Sequence, residues 1–348
     1  STSWASLQTH VHDLDIVAAQ WVRIDACGNL GSTDDQTLKE FARQNNVLVL
    51  PSLFTLSAPL NHLILTDEQA RANAIQGIAS YTVGEDYAGF DLDLEGVDPT
   101  DRDAFTAYVA DLATALHEQN KMLTLALPAK DRDVTVGWSG AYDYAALGAS
   151  ADLVTIMAYE YSGPFSGPGS VAPYEWVARV MAFARSQIAP EKLVLGAAWY
   201  GYDWNTTSGG ALSLGYPQAL ALAEHFGASL ELDPLTRSAT FAYETVAGGP
   251  MPRVASPPRL NHRVTERQPP PCDVAPPPAP TPVATPERPA AAGEPQSHAV
   301  WVEDSAAFVE RVGLAERFGV AGIATWRLGQ EDPRVWGAVQ QWRSTKEE

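Results

Sequence analysis

Residues 89–96 read Gly-Phe-Asp-Leu-Asp-Leu-Glu-Gly, so acidic and apolar side chains alternate between two glycines. Successive side chains on a β-strand point to opposite faces, which puts Asp91, Asp93 and Glu95 on one face. The three large apolar residues between them share the other face. The pattern predicts a strand whose apolar face packs under helices and whose acidic face lines an interior.

Three carboxylates on one buried face are unfavourable for stability alone. They lie about 6 to 7 Å apart along a strand. Mutual repulsion and lost hydration should therefore raise the proton affinity of at least one of them. Two other interpretations stay open, an exposed edge strand with a solvated acidic face and a divalent metal site.

Short aliphatic runs alternate with amphipathic stretches of helical period up to about residue 228. This alternation is typical of a parallel sheet covered by helices. The predicted strands are Ile16–Ile24, Val47–Phe54, Gly89–Glu95, Met122–Leu127, Leu153–Tyr159, Leu193–Tyr200 and Gly322–Leu328. The predicted helices include Asp67–Ser80, Asp101–Gln119, Tyr174–Ile188 and Ser305–Phe318.

A proline-rich segment interrupts this pattern, because 15 of the 26 prolines fall between residues 250 and 295. Proline removes a backbone donor and fixes φ, so we predict a disordered loop at about 250–295 that can be shortened with little effect on the melting temperature. The neighbouring residues resemble short strands. The predicted domains are a catalytic domain of residues 1–228 and 305–348 and an α+β insertion of residues 229–304.

The composition excludes several classes of protein. Lys and Arg number 23 against 42 Asp and Glu, a net charge of −19 that disfavours nucleic acid as a partner. No apolar run reaches the ~18 residues of a membrane span, and the first residues lack the features of a signal peptide. Cys27 and Cys272 are too few for a disulfide framework or a cysteine-built zinc site, and one disulfide between them is left open.

Four strings, in order, resemble glycoside hydrolase family 18, the chitinase-like (β/α)₈ barrels. Residues Gly89–Glu95 match the D-G-x-D-x-D-x-E signature, with Ala88 in place of its first Asp. Residues 152–160 resemble D-x-x-x-x-M-x-Y-D, with Glu160 in place of the final Asp, and residues 192–201 resemble K-x-x-x-G-x-x-x-Y-G. Residues 322–327 match the last strand. Other strings resemble bacterial spore-cortex and cell-wall lytic members and barrel domains fused to polysaccharide deacetylases.

The resemblance implies an α/β fold, the (β/α)₈ TIM barrel, which needs eight parallel strands. Only seven are predicted, and a helix-like segment precedes the strand at Ile16. We expect a barrel that lacks its first strand and belongs to a longer protein. The open edges at Ile16–Ile24 and Gly322–Leu328 should then favour aggregation or pairing with another chain.

The resemblance also implies residue roles in a retaining, substrate-assisted hydrolysis. Glu95 is the general acid and base, and Asp93 accepts the N–H of the substrate acetamido group and stabilises positive charge. Asp91 shares a proton with Asp93, and Tyr159 donates its hydroxyl to the acetamido oxygen. Trp326 is a platform under the sugar. Glu160, Met157 and Tyr200 are further candidates for substrate binding.

These matches predict a glycosidase that cleaves β-linked glycans containing N-acetylglucosamine, such as peptidoglycan, chitin-like polymers or a related exopolysaccharide. The resemblance implies no cofactor and no metal, places the protein outside the cytoplasm and leaves room for a fused domain in the full-length protein. Two alternatives remain, a non-catalytic glycan-binding lectin and a metal-dependent hydrolase built on Asp91 and Asp93.

Overall fold

The computed structural model of the protein describes residues 2–254, 262–274 and 291–347. Residues 255–261 and 275–290, within the proline-rich segment, lie outside the described residues, so the disorder predicted there stays a prediction. Among the described helices, none is both long enough and apolar enough to span a membrane.

The described residues contain fourteen strands, which form two sheets. They are β1 (Ile16–Ile24), β2 (Leu30–Asp35), β3 (Leu48–Thr55), β4 (Gly89–Leu94), β5 (Met122–Pro128), β6 (Leu153–Met157), β7 (Leu193–Ala198), β8 (Tyr200–Asn205), β9 (Ala211–Gly215), β10 (Glu231–Leu232), β11 (Ala239–Val246), β12 (Val264–Arg267), β13 (Pro295–Val302) and β14 (Gly322–Trp326).

The same part of the chain contains ten α-helices and short 3₁₀ turns at Val11–Asp13 and Pro99–Asp101. The helices are α1 (Thr2–His10), α2 (Gln36–Gln44), α3 (Ala58–Thr66), α4 (Glu68–Gly84), α5 (Arg102–His117), α6 (Tyr144–Ser150), α7 (Tyr174–Gln187), α8 (Tyr216–Phe226), α9 (Ser305–Phe318) and α10 (Val335–Glu347). Several begin after an aspartate whose side chain accepts a hydrogen bond from a first-turn amide, as Asp35, Asp67 and Asp304 do. Such caps fix where each helix begins.

The larger sheet has nine strands in the order β12-β2-β1-β3-β4-β5-β6-β7-β14. From β1 through β3 to β7 and on to β14, neighbouring strands are parallel, whereas β2 and β12 are antiparallel additions at one edge. The seven parallel strands are the seven predicted ones, so the prediction of a parallel βα barrel is confirmed. Buried aliphatic and aromatic side chains form one continuous core between the sheet and its helices.

The strands β1 and β14 do not pair with each other in the described part of the chain. Ala18 and Gln20 on β1 are exposed, and the side chains of β14 are half-buried or exposed. No eighth parallel strand occurs in residues 2–254, 262–274 and 291–347, which agrees with the predicted strand count. Aggregation through these edges stays a prediction.

The smaller sheet has five antiparallel strands in the order β10-β11-β13-β8-β9 and packs against α8. It begins at Tyr200, earlier than the predicted start of the insertion at residue 229. The predicted strand Leu193–Tyr200 is divided at Trp199, since β7 ends in the barrel sheet at Ala198 and β8 pairs with β13. The insertion therefore leaves the barrel directly after β7.

Residues 262–274 contradict the predicted disorder of the whole proline-rich segment. Strand β12 pairs along the length of β2 from Ser32 to Asp35, and Cys272 forms a disulfide with Cys27. The physical reason is that Val264–Arg267 contains no proline and meets the free edge of β2. Around it, three basic side chains pair with carboxylates of the barrel, in the pairs His262 with Asp35, Arg263 with Glu40 and Arg267 with Glu85.

Candidate active site

Strand β4 places the acidic residues as the alternation predicts. Phe90, Leu92 and Leu94 are at most 1% exposed and pack in the core, which leaves Asp91 and Asp93 on the opposite, interior face. Because β4 lies between β3 and β5 in the middle of the sheet, the interpretation as an exposed edge strand is wrong.

The carboxylate of Asp91 is held by two neighbouring strands. Ser52 Oγ on β3 donates to it at 2.7 Å, and Thr124 Oγ1 on β5 donates at 2.6 Å. Burial raises the pKa of Asp91, while these two hydroxyl donors oppose the shift. The hydrogen bonds found for Asp91 in the described residues go to these hydroxyls and not to Asp93, so the proton shared between the two carboxyls stays a prediction.

Asp93 is 7% exposed and is only half satisfied by hydrogen bonds. Gln20 Nε2 on β1 donates to its Oδ2 at 3.2 Å, whereas its Oδ1 is buried without a partner in the described residues. Burial, and then the nearby carboxyls of Glu95 and Asp91, raise the pKa of Asp93 to about 8. The unpartnered oxygen can accept a hydrogen bond from a bound molecule.

Glu95 follows the last residue of β4, and its backbone is fixed on both sides. Its N–H donates to Thr55 O at 2.8 Å, and its carbonyl accepts from Asn61 Nδ2 at 2.7 Å. Burial raises the pKa of its carboxyl, and the charge of Glu160 raises it further. A carboxylic acid with a raised pKa can act as a proton donor near neutral pH.

Glu160 sits in the left-handed region of backbone space, with φ of 62°, just after β6. Its Oε1 accepts hydrogen bonds from the hydroxyls of Tyr200 and Tyr202, the latter at 2.7 Å. The ring of Tyr159 packs edge-on against Tyr200, with centroids 6.1 Å apart. Burial raises the pKa of Tyr159 well above its ordinary value, so its hydroxyl keeps its proton and remains a donor.

Most of the side chains just described line one cleft of about 390 Å³. Of the predicted site residues, Asp93, Glu95, Met157, Tyr159, Glu160, Tyr200 and Trp326 line it, and Asp91 does not. The structure brings together residues from the carboxyl ends of the barrel strands β4, β6 and β14 and from the start of β8, which follows β7 after one residue. No lysine or arginine lines the cleft among the described residues.

Six further lining residues were missed in the sequence. They are Gln20, Phe54, Pro128, Ala129, Trp138 and Trp176. Phe54 and Trp138 are 40% and 56% exposed, which is high for large apolar side chains. The available signal was the position of Phe54, Pro128 and Ala129 at or just after the carboxyl ends of β3 and β5, where barrel enzymes place their active sites. No motif marks them.

The family model of glycosyl hydrolases family 18 matches residues 1–331, nearly the whole chain. The chain belongs to glycosyl hydrolase family 18. The (β/α)₈ barrel of this family accounts for the parallel sheet and for the position of the acidic strand.

Two curated proteins of Bacillus subtilis are similar to this chain. The uncharacterized glycosylase YvbX is 23% identical over 292 residues, covering 83% of this chain and 71% of its own length. The cortical fragment-lytic enzyme is 24% identical over 285 residues, covering 80% of this chain and 55% of its own length. The chain thus spans only about half of that second relative.

A solved structure shows the same fold. The chitinase from Chromobacterium violaceum superposes with a TM-score of 0.78 at 24% identity, covering 98% of this chain and 95% of its own. This match concerns the fold alone.

The interpretation as a metal site on Asp91 and Asp93 finds no support in the geometry. Within the described ranges, the one cluster of potential ligand atoms consists of Asp25, Cys27 and Cys272. Both cysteines of that cluster are bonded to each other. The oxygens of Asp91 are instead occupied by neighbouring hydroxyl donors.

Proposed function

We propose that this protein hydrolyses β-linked glycans containing N-acetylglucosamine, with retention and with the substrate acetamido group as the nucleophile. The observation that carries the proposal is the pair Asp93 and Glu95 in the cleft. Glu95 has a raised pKa, and Asp93 offers a buried oxygen that lacks a donor. Family membership supports the same reaction class.

Glu95 is the general acid that protonates the glycosidic oxygen as the bond to the anomeric carbon breaks. The acetamido carbonyl oxygen attacks that carbon at the same time, which gives an oxazolinium ion and releases the leaving sugar as an alcohol. Water then adds to the anomeric carbon and gives a proton to the Glu95 carboxylate. Two displacements at one carbon retain its configuration.

Asp93 holds the acetamido group in the attacking position. Its free Oδ1 accepts the acetamido N–H, and its negative charge stabilises the positive ion that forms. Burial of Asp93 strengthens this electrostatic effect, because the surroundings screen it weakly. Asp91 lies two residues before Asp93 on the same face of β4. In this scheme it takes up the proton of Asp93. Tyr159 donates its hydroxyl to the acetamido oxygen.

The remaining cleft residues bind the sugar. Trp326 is 39% exposed at the end of β14, so its ring is available to pack against the C–H face of a pyranose. Met157 and Tyr200 line the wall beside it. Glu160 presents a carboxylate that two tyrosine hydroxyls hold in place, where it can accept a hydrogen bond from a sugar hydroxyl.

We place the protein outside the cytoplasm, on a cell-wall or extracellular glycan. The Cys27–Cys272 disulfide supports this, because such bonds persist mainly in oxidising compartments. The match to a cortical fragment-lytic enzyme supports a wall glycan. A fused domain is part of the proposal, because this chain covers 55% of that relative's length.

Hydrolysis can be tested with N-acetylglucosamine oligomers and with purified peptidoglycan strands, using mass spectrometry of the products. The parent protein should shorten at least one of them, and Asp93→Asn should lose most of that activity. Asp13→Asn, which changes a carboxylate outside the cleft lining, is the matched control. Binding of the oligomers without any cleavage would favour the lectin alternative.

A further inference from the structure

We infer that Trp138 is the platform for the sugar on the leaving-group side of the scissile bond and that Arg102 positions it. The inference rests on the proposed glycosidase function. It assigns a role in substrate selection to a residue that lies in none of the four family strings.

The position of Trp138 relative to the acid carries the first step. A Cβ built at Gly96 would lie 3.4 Å from Trp138 Cη2 and 3.5 Å from its Cζ3. The indole therefore rests on the backbone that directly follows Glu95. Gly96, with φ of 65°, leaves room for this contact.

The contact of Trp138 assigns the side of the bond. Asp93 binds the acetamido group of the reacting sugar in the proposed mechanism, and Glu95 protonates the glycosidic oxygen that joins this sugar to the leaving one. Trp326 is already assigned as the platform of the reacting sugar, and Trp138 contacts the residue that follows Glu95. We therefore place Trp138 beside the leaving sugar.

Trp138 is exposed although it lies in a well-anchored loop. Trp138 is 56% exposed, so the face of its ring is available to a ligand. It lines the cleft together with Glu95. An exposed aromatic plane beside a glycosidic site is suited to the C–H face of a pyranose ring.

The half-buried guanidinium of Arg102 anchors that loop. Its Nη1 donates to Val134 O at 3.2 Å and to Gly140 O at 2.9 Å. Its Nη2 donates to Asp143 Oδ2 at 3.0 Å and to Asp133 Oδ1 at 3.3 Å. One side chain thus fixes both ends of the segment that carries Trp138, so little ordering remains when a sugar binds.

Two substrates separate this role from a general contribution to catalysis. One is the N-acetylglucosamine tetramer, whose leaving group is a sugar. The other is the β-glycosyl fluoride of the disaccharide, whose leaving group is fluoride and carries no sugar. Trp138→Ala should lower kcat/KM on the tetramer by about tenfold, as expected for losing an aromatic contact. It should stay within about twofold of the parent on the fluoride.

Two further variants sharpen the test. Trp138→Phe keeps an aromatic plane and should restore tetramer cleavage to within about twofold of the parent. Phe165→Ala removes another exposed aromatic, 76% exposed and outside the cleft lining, and should change neither rate. Arg102→Lys cannot form the set of guanidinium hydrogen bonds that holds the loop. It should lower kcat/KM on the tetramer and leave the rate on the fluoride unchanged.

Equal losses on both substrates would overturn the inference, because Trp138 would then act on the reacting sugar or on the fold. Fluoride leaves without a proton from Glu95, so the pH dependence of tetramer cleavage is measured as well. A shifted pH profile of kcat/KM in Trp138→Ala would also overturn the inference, because Trp138 would then act through the acid. An unchanged rate on the tetramer would also overturn it. A parent protein that cleaves neither substrate would overturn the proposed function itself. The last result is distinguishable, because it does not depend on any variant.

Discussion

The Tyr202 hydroxyl donates a 2.7 Å hydrogen bond to Glu160 Oε1, and Tyr200 donates to the same oxygen. This pair of donors holds a carboxylate in the cleft where its charge raises the pKa of Glu95. The acid and its electrostatic neighbour come from different strands of the barrel. Their arrangement predicts how the activity depends on pH.

Activity should fall at high pH as Glu95 loses its proton, and in Glu160→Gln this fall should begin at a lower pH. Glu95 must carry a proton to act as the acid, and removing the Glu160 charge lowers the pKa of Glu95. The kcat/KM of both proteins across a pH series gives the comparison. Glu224→Gln, at an exposed carboxylate on α8, is the control and should leave the profile unchanged. A shift in the opposite direction for Glu160→Gln would contradict this electrostatic role.

Asp93→Asn should change how stability depends on pH. The pKa of Asp93 is about 8 in the folded protein and 3.8 without the fold, so the folded state binds more protons between these values. The free energy of unfolding contributed by Asp93 is present at low pH and is lost as pH rises toward about 8. The melting temperature of the parent should therefore fall relative to Asp93→Asn across this interval. Parallel curves for the two proteins would show that Asp93 titrates normally.

Replacing Cys27 and Cys272 by serine should lower the melting temperature by roughly 5–15 °C. A disulfide typically contributes about 2–4 kcal/mol, and each kcal/mol changes the melting temperature of a domain this large by about 2–4 °C. Reductant should lower the melting temperature of the parent and leave the serine variant unchanged. Equal melting temperatures for parent and variant would show that the disulfide contributes nothing to the stability of the fold.

Two deletions separate the parts of the proline-rich segment. Removing residues 275–290 should change the melting temperature little, because loop-closure entropy varies slowly with length. Removing residues 262–290 also takes away β12 and Cys272 and should cost several degrees. This replaces the prediction that the whole segment is dispensable. Equal effects of the two deletions would mean that β12 contributes nothing.

A thiazoline analogue of the oxazolinium ion should inhibit hydrolysis competitively. It resembles the ion that forms when the acetamido group attacks, and Asp93 would bind its ring nitrogen. Inhibition should weaken strongly in Asp93→Asn. An unchanged rate of hydrolysis at a high concentration of the analogue would contradict the roles of Asp93 and the acetamido group in the mechanism.

Local patterns were sufficient to predict the acidic strand and much of the barrel. The side-chain period of two puts Asp91 and Asp93 on one face whatever the rest of the chain does. Hydrogen-bond partners such as Ser52 and Thr124 could not be predicted, since they depend on strand register. Strand β12 was missed because four residues within a proline-rich segment are too short a signal, and its partner β2 lies more than two hundred residues away.

The most direct measurement is the rate of N-acetylglucosamine oligomer cleavage by Glu95→Gln beside the parent protein. Glutamine keeps the size of the side chain and cannot donate the acidic proton, so the proposed mechanism predicts a loss of at least about 1,000-fold in kcat. Oligomer affinity and melting temperature should remain close to those of the parent. Activity within about tenfold of the parent would contradict the assignment of Glu95 as the acid.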